Sequence, residues 1–552
     1  MVLHAGSSFQ TTSGGNALYL RFKICRWLDS DDFKRISCLA SYIGRREGCS
    51  WFEINVHYFN IDRLLDTIDT LKSYGAEFDK KSLQIINKLV EESNAVDLHV
   101  SRQGFVIKSR RLLSDYLAVF RSKGLVKYSK GLRGFVVKPY AIIDVVERLR
   151  NEGFNIRDHS RLLSPNKYTI TFTGKLRDYQ EEAINAWIKH NYRGVIALPT
   201  GSGKTIVALA AMAKLAVPTL IVVYTREQLI EWINKIEKFT SLDKSSIGAF
   251  YSEEKSIKPI TIATYHSAFR NVDLLFDKFS LLIVDEAHHL PADKFRVIAE
   301  SILAPYRLGL SATPYREDGR HEELFQLIGG IVYERSLNDL LTAGYIASFE
   351  IIPVFVQLSK EELDEYNKLK KKYIILARGR RIEELVKAAS IGDESARQAL
   401  QLLARMRRIL ALSKSKIEEA RRIVETELTK GSKIIVFTQY VDQAQAIGKE
   451  LGIPVVTGKT EKTRRKIIFE LYKHDRFKAI VLTTIGDEGI DIPDANVGIV
   501  LSGTSSRRQF IQRLGRLLRP KPGKAAKLYY IAVKGTQEEA ALKRLLQAIR
   551  TF

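Results

Sequence analysis

The sequence predicts an α/β protein with two parallel-sheet domains, an α+β domain before them and a helical insertion in the second. In two blocks of the chain, short β-branched runs alternate with amphipathic helical stretches, as in doubly wound sheets. The runs of the first block are Gly194–Leu198, Thr219–Tyr224, Thr261–Thr264 and Leu281–Asp285. The runs of the second block are Lys433–Phe437, Ala479–Thr483, Val497–Leu501 and Leu528–Ala532.

The stretch between the two blocks has a different character. From Leu358 to Ser413, β-branched runs vanish and long charged helical segments dominate. We therefore predict sheet domains at residues 166–334 and 335–552, with the helical insertion at about 358–413 in the second.

The first 165 residues predict a separate domain. Gly104–Lys108 and Gly134–Lys138 are typical of strands, and a helical stretch ending at a glycine follows each. A related pattern runs from Trp51 to Gly75, so internal repeats and generic β–α alternation explain the region about equally well. Residues 102–138 contain ten Lys or Arg against one acid, Asp115, which suits a phosphate backbone or an ordinary solvated face.

The composition points to a polyanionic partner. The 552 residues include 87 basic and 63 acidic side chains, a net charge of +24. Nucleic acid fits this excess better than a membrane surface, because no lipidation motif appears, and a generally basic solvated surface is the alternative. No apolar run approaches the roughly 20 residues of a membrane span. We expect a soluble intracellular protein, cytoplasmic in a prokaryote or nuclear in a eukaryote. Cys25, Cys38 and Cys49 lack metal-ligand spacing, so we expect buried free thiols.

A phosphate-binding loop is predicted after the first strand of the first block. The segment Pro199-Thr-Gly-Ser-Gly-Lys-Thr205 joins that strand to the helix-forming stretch Ile206–Leu215. Glycines let backbone N–H groups curl around phosphate oxygens, the lysine ammonium suits the β- and γ-phosphates, and the threonine hydroxyl suits Mg²⁺. The loop residues that we assign to ATP and Mg²⁺ are Thr200, Gly201, Ser202, Gly203, Lys204 and Thr205.

Two carboxylates are predicted at the same sheet edge. The apolar run Leu281–Val284 ends in Asp285-Glu286-Ala287-His288. Ligands bind at the carboxyl ends of strands in open α/β sheets. Asp285 therefore suits a Mg²⁺ contact and Glu286 suits the base that orients or deprotonates water. An ordinary acidic helix start is the alternative.

A basic helical face is predicted in the second sheet domain. In Gln512-Arg-Leu-Gly-Arg-Leu-Leu-Arg519, the side chains of Gln512, Arg516 and Arg519 share one face of a helix. A guanidinium there suits a γ-phosphate held by the other domain. The alternative is an ordinary basic helix, since residues 507–527 hold eight basic residues and no acid.

Together these motifs resemble those of superfamily two helicases of the DEAH-containing kind, over about two thirds of the chain, from Lys175 to Leu546. The resemblance implies two RecA-like helicase domains and assigns further roles. It implies an adenine-recognising segment with Arg177 and Gln180, ribose contacts at Gly489 and Asp491, and arginine fingers at Arg516 and Arg519. Residues that it assigns to DNA contact or to coupling are Thr225, Arg226, Thr264, His288, Ser311, Thr313 and Thr483.

Finer features are similar to those of the XPB family in an archaeal-like compact form. Arg316-Glu317-Asp318 follows the Ser311-Ala-Thr313 motif, and this Arg-Glu-Asp element is associated in that family with DNA opening. The helical insertion resembles the family's thumb, and its Lys370, Lys371 and Lys372 suit a phosphate backbone, although a domain-packing arm is an alternative. By position and charge alone, residues 1–165 would be the DNA- or damage-recognition domain.

The resemblance implies an ATP- and Mg²⁺-dependent 3′–5′ DNA helicase and double-strand translocase in excision repair or transcription initiation. Its expected partners are double-stranded and forked DNA, and either a nuclease or a transcription–repair assembly, with no membrane. The alternatives are an RNA helicase, the motor of a restriction system, or a non-catalytic DNA-binding scaffold.

Overall fold

The computed structural model describes residues 18–59, 61–199, 201–312, 314–315, 319–345, 349–483, 495–502 and 526–550. The chain divides into two compact units, Met1–Pro165 and Asn166–Phe552. Within the described residues, no helix combines the length and the apolar character that crossing a membrane requires.

The first unit contains two mainly antiparallel sheets, with strand orders β2-β3-β1-β4 and β7-β8-β6-β5-β9. The elements of the first sheet are β1 (Tyr19–Ile24), α1 (Ser30–Ser37), β2 (Ser41–Arg46), β3 (Cys49–Asn55), α2 (Ile61–Ser73) and β4 (Glu77–Phe78). Next come α3 (Lys80–Ser93) and β5 (Ala95–Ser101). The remaining elements are β6 (Gly104–Ser109), α4 (Ala118–Ser122), β7 (Val126–Ser129), β8 (Gly134–Val137), α5 (Ile142–Asn151) and β9 (Asn155–Asp158).

The two sheets are structural repeats of one β-α-β-β-α-β unit. The series β1–α1–β2–β3–α2–β4 corresponds to β6–α4–β7–β8–α5–β9, and the strands take the same order once β5 is set aside. Both copies place a short 3₁₀ turn before the second helix, and both follow that helix with a glycine at φ +83°, Gly75 or Gly153. Between the two sequence interpretations, the topology favours an internal repeat.

The expectation of three buried free thiols is wrong. Cys25 and Cys49 form a disulfide, and Cys38 is free and exposed. The antiparallel register pairs Ile24 with Ser50, which brings Cys25 opposite Cys49 at a Cα–Cα distance of 4.1 Å. Strand register is a tertiary property, so cysteine spacing along the sequence did not show this pairing.

The second unit begins with a seven-stranded sheet in which every paired strand is parallel, in the order β12-β13-β11-β14-β15-β10-β16. Its strands are β10 (Arg193–Ala197), β11 (Thr219–Val223), β12 (Ile247–Phe250), β13 (Ile260–Thr264), β14 (Leu281–Val284), β15 (Tyr306–Ser311) and β16 (Ile331–Glu334). Its helices are α6 (Asp178–Lys189), α7 (Lys204–Leu215), α8 (Arg226–Phe239), α9 (Tyr265–Arg270), α10 (Val272–Leu275), α11 (Arg296–Ser301), α12 (His321–Ile328) and α13 (Leu337–Thr342). The central strands are buried throughout, which explains their unbroken apolar sequences.

A six-stranded parallel sheet follows, in the order β17-β22-β21-β18-β20-β19. Its strands are β17 (Phe349–Val356), β18 (Ile434–Thr438), β19 (Val455–Val456), β20 (Ala479–Thr483), β21 (Val497–Val500) and β22 (Ala526–Val533). Its helices are α17 (Lys414–Thr429), α18 (Val441–Leu451), α19 (Lys462–Lys473) and α20 (Gln537–Arg550). The α/β class with two parallel-sheet domains is therefore confirmed.

The helical insertion lies between β17 and α17. It comprises α14 (Lys360–Ala377), α15 (Ile382–Ser390) and α16 (Glu394–Leu412). Small residues such as Ala396 and Ala399 on α16 pack closely against Ala377 on α14 and Leu385 on α15. A capping box in which Ser359 and Glu362 exchange hydrogen bonds starts α14.

Candidate nucleotide-binding site

The order of strands brings three sequence motifs to one edge of the seven-stranded sheet. Strand β15 lies between β10 and β14, and all three are parallel. The phosphate loop after β10, Ser311 at the end of β15 and Asp285 after β14 therefore meet at the carboxyl edge. This is the edge where open parallel sheets bind ligands.

The loop residues have the backbone conformation that phosphate binding needs. Gly201 and Gly203 both have φ +85°, a left-handed conformation that glycine adopts without strain. A Cβ atom at Gly203 would also come within 2.7 Å of the amide nitrogen of Gln180. Ser202 is buried, and its hydroxyl donates to the backbone oxygen of Pro199 at 2.7 Å.

The adenine-segment residues hold this loop from one side. Gln180 is buried, and its amide nitrogen donates to the backbone oxygen of Ser202 at 3.1 Å. The Gln180 amide oxygen accepts from the backbone N–H of Arg177 at 3.0 Å. The Arg177 guanidinium in turn donates to the backbone oxygen of Tyr345 at 2.7 Å. Gln180 thus contacts the loop directly, and Arg177 and Tyr345 are linked to the loop through it.

Lys204 and Thr205 begin α7, so the positive end of this helix faces the loop. The Lys204 ammonium donates to the backbone oxygens of Leu198 at 3.1 Å and Pro199 at 3.4 Å. The Thr205 hydroxyl accepts from the Lys235 ammonium on α8 at 3.3 Å. Two cations therefore lie at the mouth of the phosphate loop.

The Asp285 carboxylate is held by a buried tryptophan. The indole N–H of Trp232, on α8, donates to Asp285 Oδ2 at 2.9 Å, and Trp232 is only 2% exposed. The other carboxylate oxygen accepts from the backbone N–H of Glu286 at 3.0 Å. These two donors fix the direction of the side chain that the sequence assigns to Mg²⁺.

Glu286 follows in a left-handed conformation, φ +47°, which is unusual for a residue with a side chain. The hydroxyl of the buried Tyr265, at the start of α9, donates to the backbone oxygens of Asp285 at 3.1 Å and Glu286 at 3.4 Å. Burial, with the two nearby carboxylates, raises the pKa of Tyr265 well above its usual value, so the phenol remains a donor. Strain of this kind clusters at functional sites.

Ser311 joins the carboxylates to the phosphate loop. The Nδ1 atom of His288 lies 3.2 Å from the Ser311 hydroxyl and 3.4 Å from the Glu286 carboxylate. The backbone oxygen of Ser311 accepts from the N–H of Leu198, immediately before the loop, at 3.0 Å. His288 is 1% exposed, which suits coupling between motifs rather than direct contact with a nucleic acid.

These residues fit Mg²⁺–ATP chemically. The glycine cradle, a helix N-terminus and two ammonium groups suit phosphate oxygens. The Thr205 hydroxyl and the Asp285 carboxylate are oxygen donors, which Mg²⁺ prefers. Mg²⁺ usually keeps several waters and few protein ligands. The finding that the described residues contain no cluster of three or more metal-binding side chains is consistent with such a site.

Three predicted DNA-contacting residues of the first sheet domain lie at or just beyond the ends of two neighbouring strands. Thr225 follows β11 and caps α8 by accepting from the backbone N–H of Gln228 at 3.2 Å. Thr264 ends the adjacent β13 and caps α9. Arg226 pairs with Glu253 at 2.8 Å and lies over the ring of Tyr251. Both threonines are on the carboxyl edge, so the predicted contacts share that side of the sheet.

In the second sheet domain, only some of the predicted DNA-contacting residues lie within the described residues. Lys370, Lys371 and Lys372 are exposed on α14. Thr483 ends β20 at the carboxyl edge of its sheet and is 4% exposed. The other predicted site residues lie outside the described residues: Thr200, Thr313, Arg316, Glu317, Asp318, Gly489, Asp491, Gln512, Arg516 and Arg519.

Sequence reasoning missed Trp232, Lys235 and Tyr265. Tyr265 directly follows Thr264, to which the sequence assigns a DNA contact, but the sequence does not show the hydrogen bonds of Tyr265. Trp232 and Lys235 are three residues apart on α8 and share a face, yet an apolar residue at such spacing ordinarily signals core packing.

Comparison with known families identifies two segments. Residues 173–316 match the family described as type III restriction enzyme, res subunit. Residues 391–544 match the family described as ERCC3/RAD25/XPB C-terminal helicase.

Among individual proteins, a "DNA 3′-5′ translocase XPB2" of Sulfurisphaera tokodaii is 43% identical over 67% of this chain and 84% of its own length. A "DNA 3′-5′ helicase XPB" of Mycobacterium tuberculosis is 33% identical over 65% of this chain, but the match covers only 60% of that protein. The "general transcription and DNA repair factor IIH helicase/translocase subunit XPB" of Antonospora locustae is 28% identical over 76% of this chain and 60% of its own length. Among solved structures, the Hef helicase domain of Pyrococcus furiosus is 22% identical with a TM-score of 0.46, over 67% of this chain and 98% of that one.

Proposed function

Because this chain belongs to the XPB helicase family, we propose that it is an ATP-driven motor that translocates 3′–5′ on double-stranded DNA and opens it. We assign it to the DEAH-containing, archaeal-like form of the family, with Mg²⁺ as the metal. The observation that supports a motor best is the series of side-chain and backbone contacts from the phosphate loop through Ser311 and His288 to Glu286. Such a path lets the state of the nucleotide alter the position of other elements.

The ATP chemistry follows from the positions of four side chains. Lys204 would bind the β- and γ-phosphates, and Thr205 and Asp285 would hold Mg²⁺, which neutralises charge on the phosphate oxygens when bound. Glu286 would orient the attacking water and accept its proton. Arg516 and Arg519 would approach the γ-phosphate from the second sheet domain and stabilise its developing charge.

Movement on DNA requires that the two sheet domains grip the backbone in turn as ATP is bound and hydrolysed. Thr225 and Thr264 follow or end strands at the carboxyl edge of the seven-stranded sheet, and we propose that they face the tracked strand. Thr483, which ends β20 and is 4% exposed, would act in coupling rather than in direct contact. Contacts to phosphate give affinity without sequence preference, as a translocase needs. The biological setting that we propose is excision repair or transcription initiation, with a nuclease or a transcription–repair assembly as partner, in the cytoplasm of a prokaryote or the nucleus of a eukaryote.

The first unit would add a separate DNA contact on its second sheet. On the open face of that sheet, Lys108, Lys127 and Arg157 are exposed, and the stacked rings of His99 and His159 lie beside them. The acid that we identify on this face is Asp97, which binds His159 at 2.9 Å.

The first sheet of the same unit provides a comparison within the protein. On its corresponding face, Arg21 pairs with Glu53 at 3.4 Å and Lys23 pairs with Glu77 at 3.3 Å, so the charges cancel. Two copies of one fold thus differ in the charge of their open faces. This difference supports a phosphate-binding role for the second sheet rather than a uniformly basic surface.

The matched faces give a controlled test of the DNA contact. Lys108→Glu with Lys127→Glu should weaken DNA binding by the full chain and reduce the slope of log affinity against log salt by about 2, because each phosphate contact releases about one counterion. Arg21→Glu with Lys23→Glu makes the same charge change on the first sheet and should affect binding much less. Equal losses from both pairs would contradict a specific surface.

The motor function is tested by ATP turnover with matched DNA and RNA effectors and by strand displacement on forked DNA. We expect stimulation by DNA, displacement that requires ATP, and nearly complete loss of turnover in Glu286→Gln with ATP binding retained. Stronger stimulation by RNA would favour an RNA helicase. Translocation along duplex DNA without strand displacement would favour a restriction-type motor, and failure of wild-type protein to hydrolyse ATP would favour a non-catalytic scaffold.

A further inference from the structure

A buried lysine that the ATP site does not use lies at the carboxyl edge of the six-stranded sheet. Lys416, in the first turn of α17, has a side chain that is 0% exposed. Its ammonium donates at 2.7 Å to the backbone oxygen of Leu501, just after β21, and at 2.7 Å to the Glu538 carboxylate on α20. The Glu538 carboxylate also accepts from the backbone N–H of Val533 at 3.0 Å. One cation therefore joins α17 to the ends of two strands.

A second buried side chain reaches the next residue of the same strand end. Gln443 on α18 is 0% exposed, and its amide nitrogen donates to the backbone oxygen of Ala411 in the last turn of α16. Its amide oxygen accepts from the Ser502 hydroxyl at 2.5 Å. The Ser502 hydroxyl oxygen also accepts from the backbone N–H of Gln439 at 3.0 Å. Gln443 thus connects the helical insertion to Ser502.

The base of the helical insertion is fixed to the same region. The Glu362 carboxylate on α14 accepts from the backbone N–H groups of Ser359 at 2.9 Å and Lys414 at 3.1 Å. This contact ties the first turn of the insertion to the first turn of α17, two residues before Lys416. Movement of the insertion would therefore reach both Lys416 and Gln443.

Packing alone does not explain a lysine in this position. A buried ion pair is often no more stabilising than apolar side chains of the same volume. The particular value of Lys416 and Gln443 is that both bind the junction Leu501–Ser502 from different sides. From Ser502 the chain runs directly into residues 503–525, which contain the proposed ATP-facing residues Arg516 and Arg519.

We propose that Lys416 and Gln443 are positioning residues that couple the helical insertion to the strand end Leu501–Ser502 of the second sheet domain. Engagement of DNA by the insertion would shift the Leu501–Ser502 junction and so change the rate of ATP hydrolysis. Neither residue touches substrate in this arrangement, since both act through the strand end. The proposal rests on the motor function above, and it adds the route by which DNA stimulates that motor.

The test separates positioning from stability with a compensated pair of variants. Lys416→Met removes the donor to Leu501 and leaves the partly buried Glu538 charge without its lysine, so the melting temperature should fall. Adding Glu538→Gln removes that charge and keeps an acceptor for Val533, so the melting temperature should recover. We expect DNA-stimulated kcat to fall about fivefold or more in both variants, a size typical of coupling energies. Basal turnover, the KM for ATP and DNA affinity should stay unchanged.

Gln443→Leu should show the same separation between stimulated and basal turnover. Lys430→Met is the matched control, because it removes an ion pair, with Glu427 at 3.0 Å, from the other end of α17. Full recovery of stimulated turnover in the Lys416→Met/Glu538→Gln protein would overturn the proposal and leave the motor function intact. Absence of DNA stimulation in the wild type would instead overturn the motor function, and the coupling proposal with it.

Discussion

The hydrogen bond from Trp232 to Asp285 predicts a specific defect in metal use. Trp232→Phe keeps a buried aromatic ring on α8 but removes the indole N–H that lies 2.9 Å from Asp285 Oδ2. The carboxylate then keeps its bond from the Glu286 N–H and loses the donor that sets its direction. Residues that orient a metal ligand in this way commonly affect metal affinity without touching the metal.

The size of the effect follows from the kind of bond that is lost. A hydrogen bond to a charged group contributes about 1.5–3 kcal/mol, and each 1.4 kcal/mol changes an equilibrium constant about tenfold. Trp232→Phe should therefore raise the Mg²⁺ concentration for half-maximal ATP turnover by about 10- to 100-fold. At saturating Mg²⁺ most of the turnover should return, because Glu286 and Lys204 are unchanged.

The assay is ATP turnover at saturating DNA, titrated with Mg²⁺, and a second chain position provides the control. Trp187 is also buried in the first sheet domain, and its indole N–H donates at 2.9 Å to the backbone oxygen of Arg307. Trp187→Phe thus also removes an indole hydrogen bond of 2.9 Å, but the acceptor of that bond is not a proposed metal ligand. It should lower stability and leave the Mg²⁺ dependence unchanged.

Two results would refute this reasoning about Asp285. A Mg²⁺ titration of Trp232→Phe that overlays the wild-type curve would show that the indole does not orient a metal ligand. Equal shifts in the Trp232 and Trp187 variants would show that general destabilisation, rather than the carboxylate, controls the metal dependence.

Three further predictions concern the phosphate loop, the second sheet domain and the disulfide. Lys204→Ala should abolish ATP turnover but retain salt-sensitive DNA binding, measured by titration at several ionic strengths, and loss of binding at all of them would contradict separate sites. Burial raises the pKa of Glu427, but hydrogen bonds from neighbouring lysine, tyrosine and serine side chains outweigh it and lower the pKa to about 2. This stabilisation is present above the unfolded pKa and is lost as pH falls through the folded pKa. In denaturant unfolding, Glu427→Gln should therefore lower the free energy of unfolding by about 3 kcal/mol at pH 7 and by progressively less from about pH 4 to 2. An equal loss at all pH values would refute the assignment. Reducing the Cys25–Cys49 bond, which spans 24 residues, should cost about 3.5 kcal/mol of unfolding free energy, whereas Cys38→Ser should not alter the response to reductant.

Local patterns predicted eight of the thirteen strands that the structure describes in the two sheet domains. The strand Ala479–Thr483 was predicted with its observed bounds, and the other seven runs differ at their ends by at most two residues. Most residues of these strands are buried, so their apolar sequences are unbroken and easy to recognise. The helical insertion could be predicted because its sequence is rich in charged residues and lacks the apolar runs of buried strands.

Relations between elements were not available from those patterns. The pairing of Cys25 with Cys49 depends on register, and the contact of Trp232 with Asp285 depends on how α8 packs against the sheet. In each case the residue type had an ordinary local interpretation, a free thiol or a core aromatic ring. The chemical role of each residue follows from the residue that it contacts in the folded structure.

The arrangement around Ser311 shows how sheet order can create a coupling that motif order does not contain. Along the chain, Ser311 follows the carboxylate motif, and the phosphate loop lies far before both. In the sheet, β15 lies between the other two strands, so the backbone of Ser311 contacts Leu198 and its hydroxyl contacts His288. The backbone bond belongs to the sheet and would survive most substitutions, whereas the hydroxyl contact depends on the side chain. The backbone of Ser311 therefore supports the phosphate loop, and its hydroxyl contacts the residues beside the carboxylates. A substitution at this position can change the contact with the carboxylate motif and still keep the support of the loop.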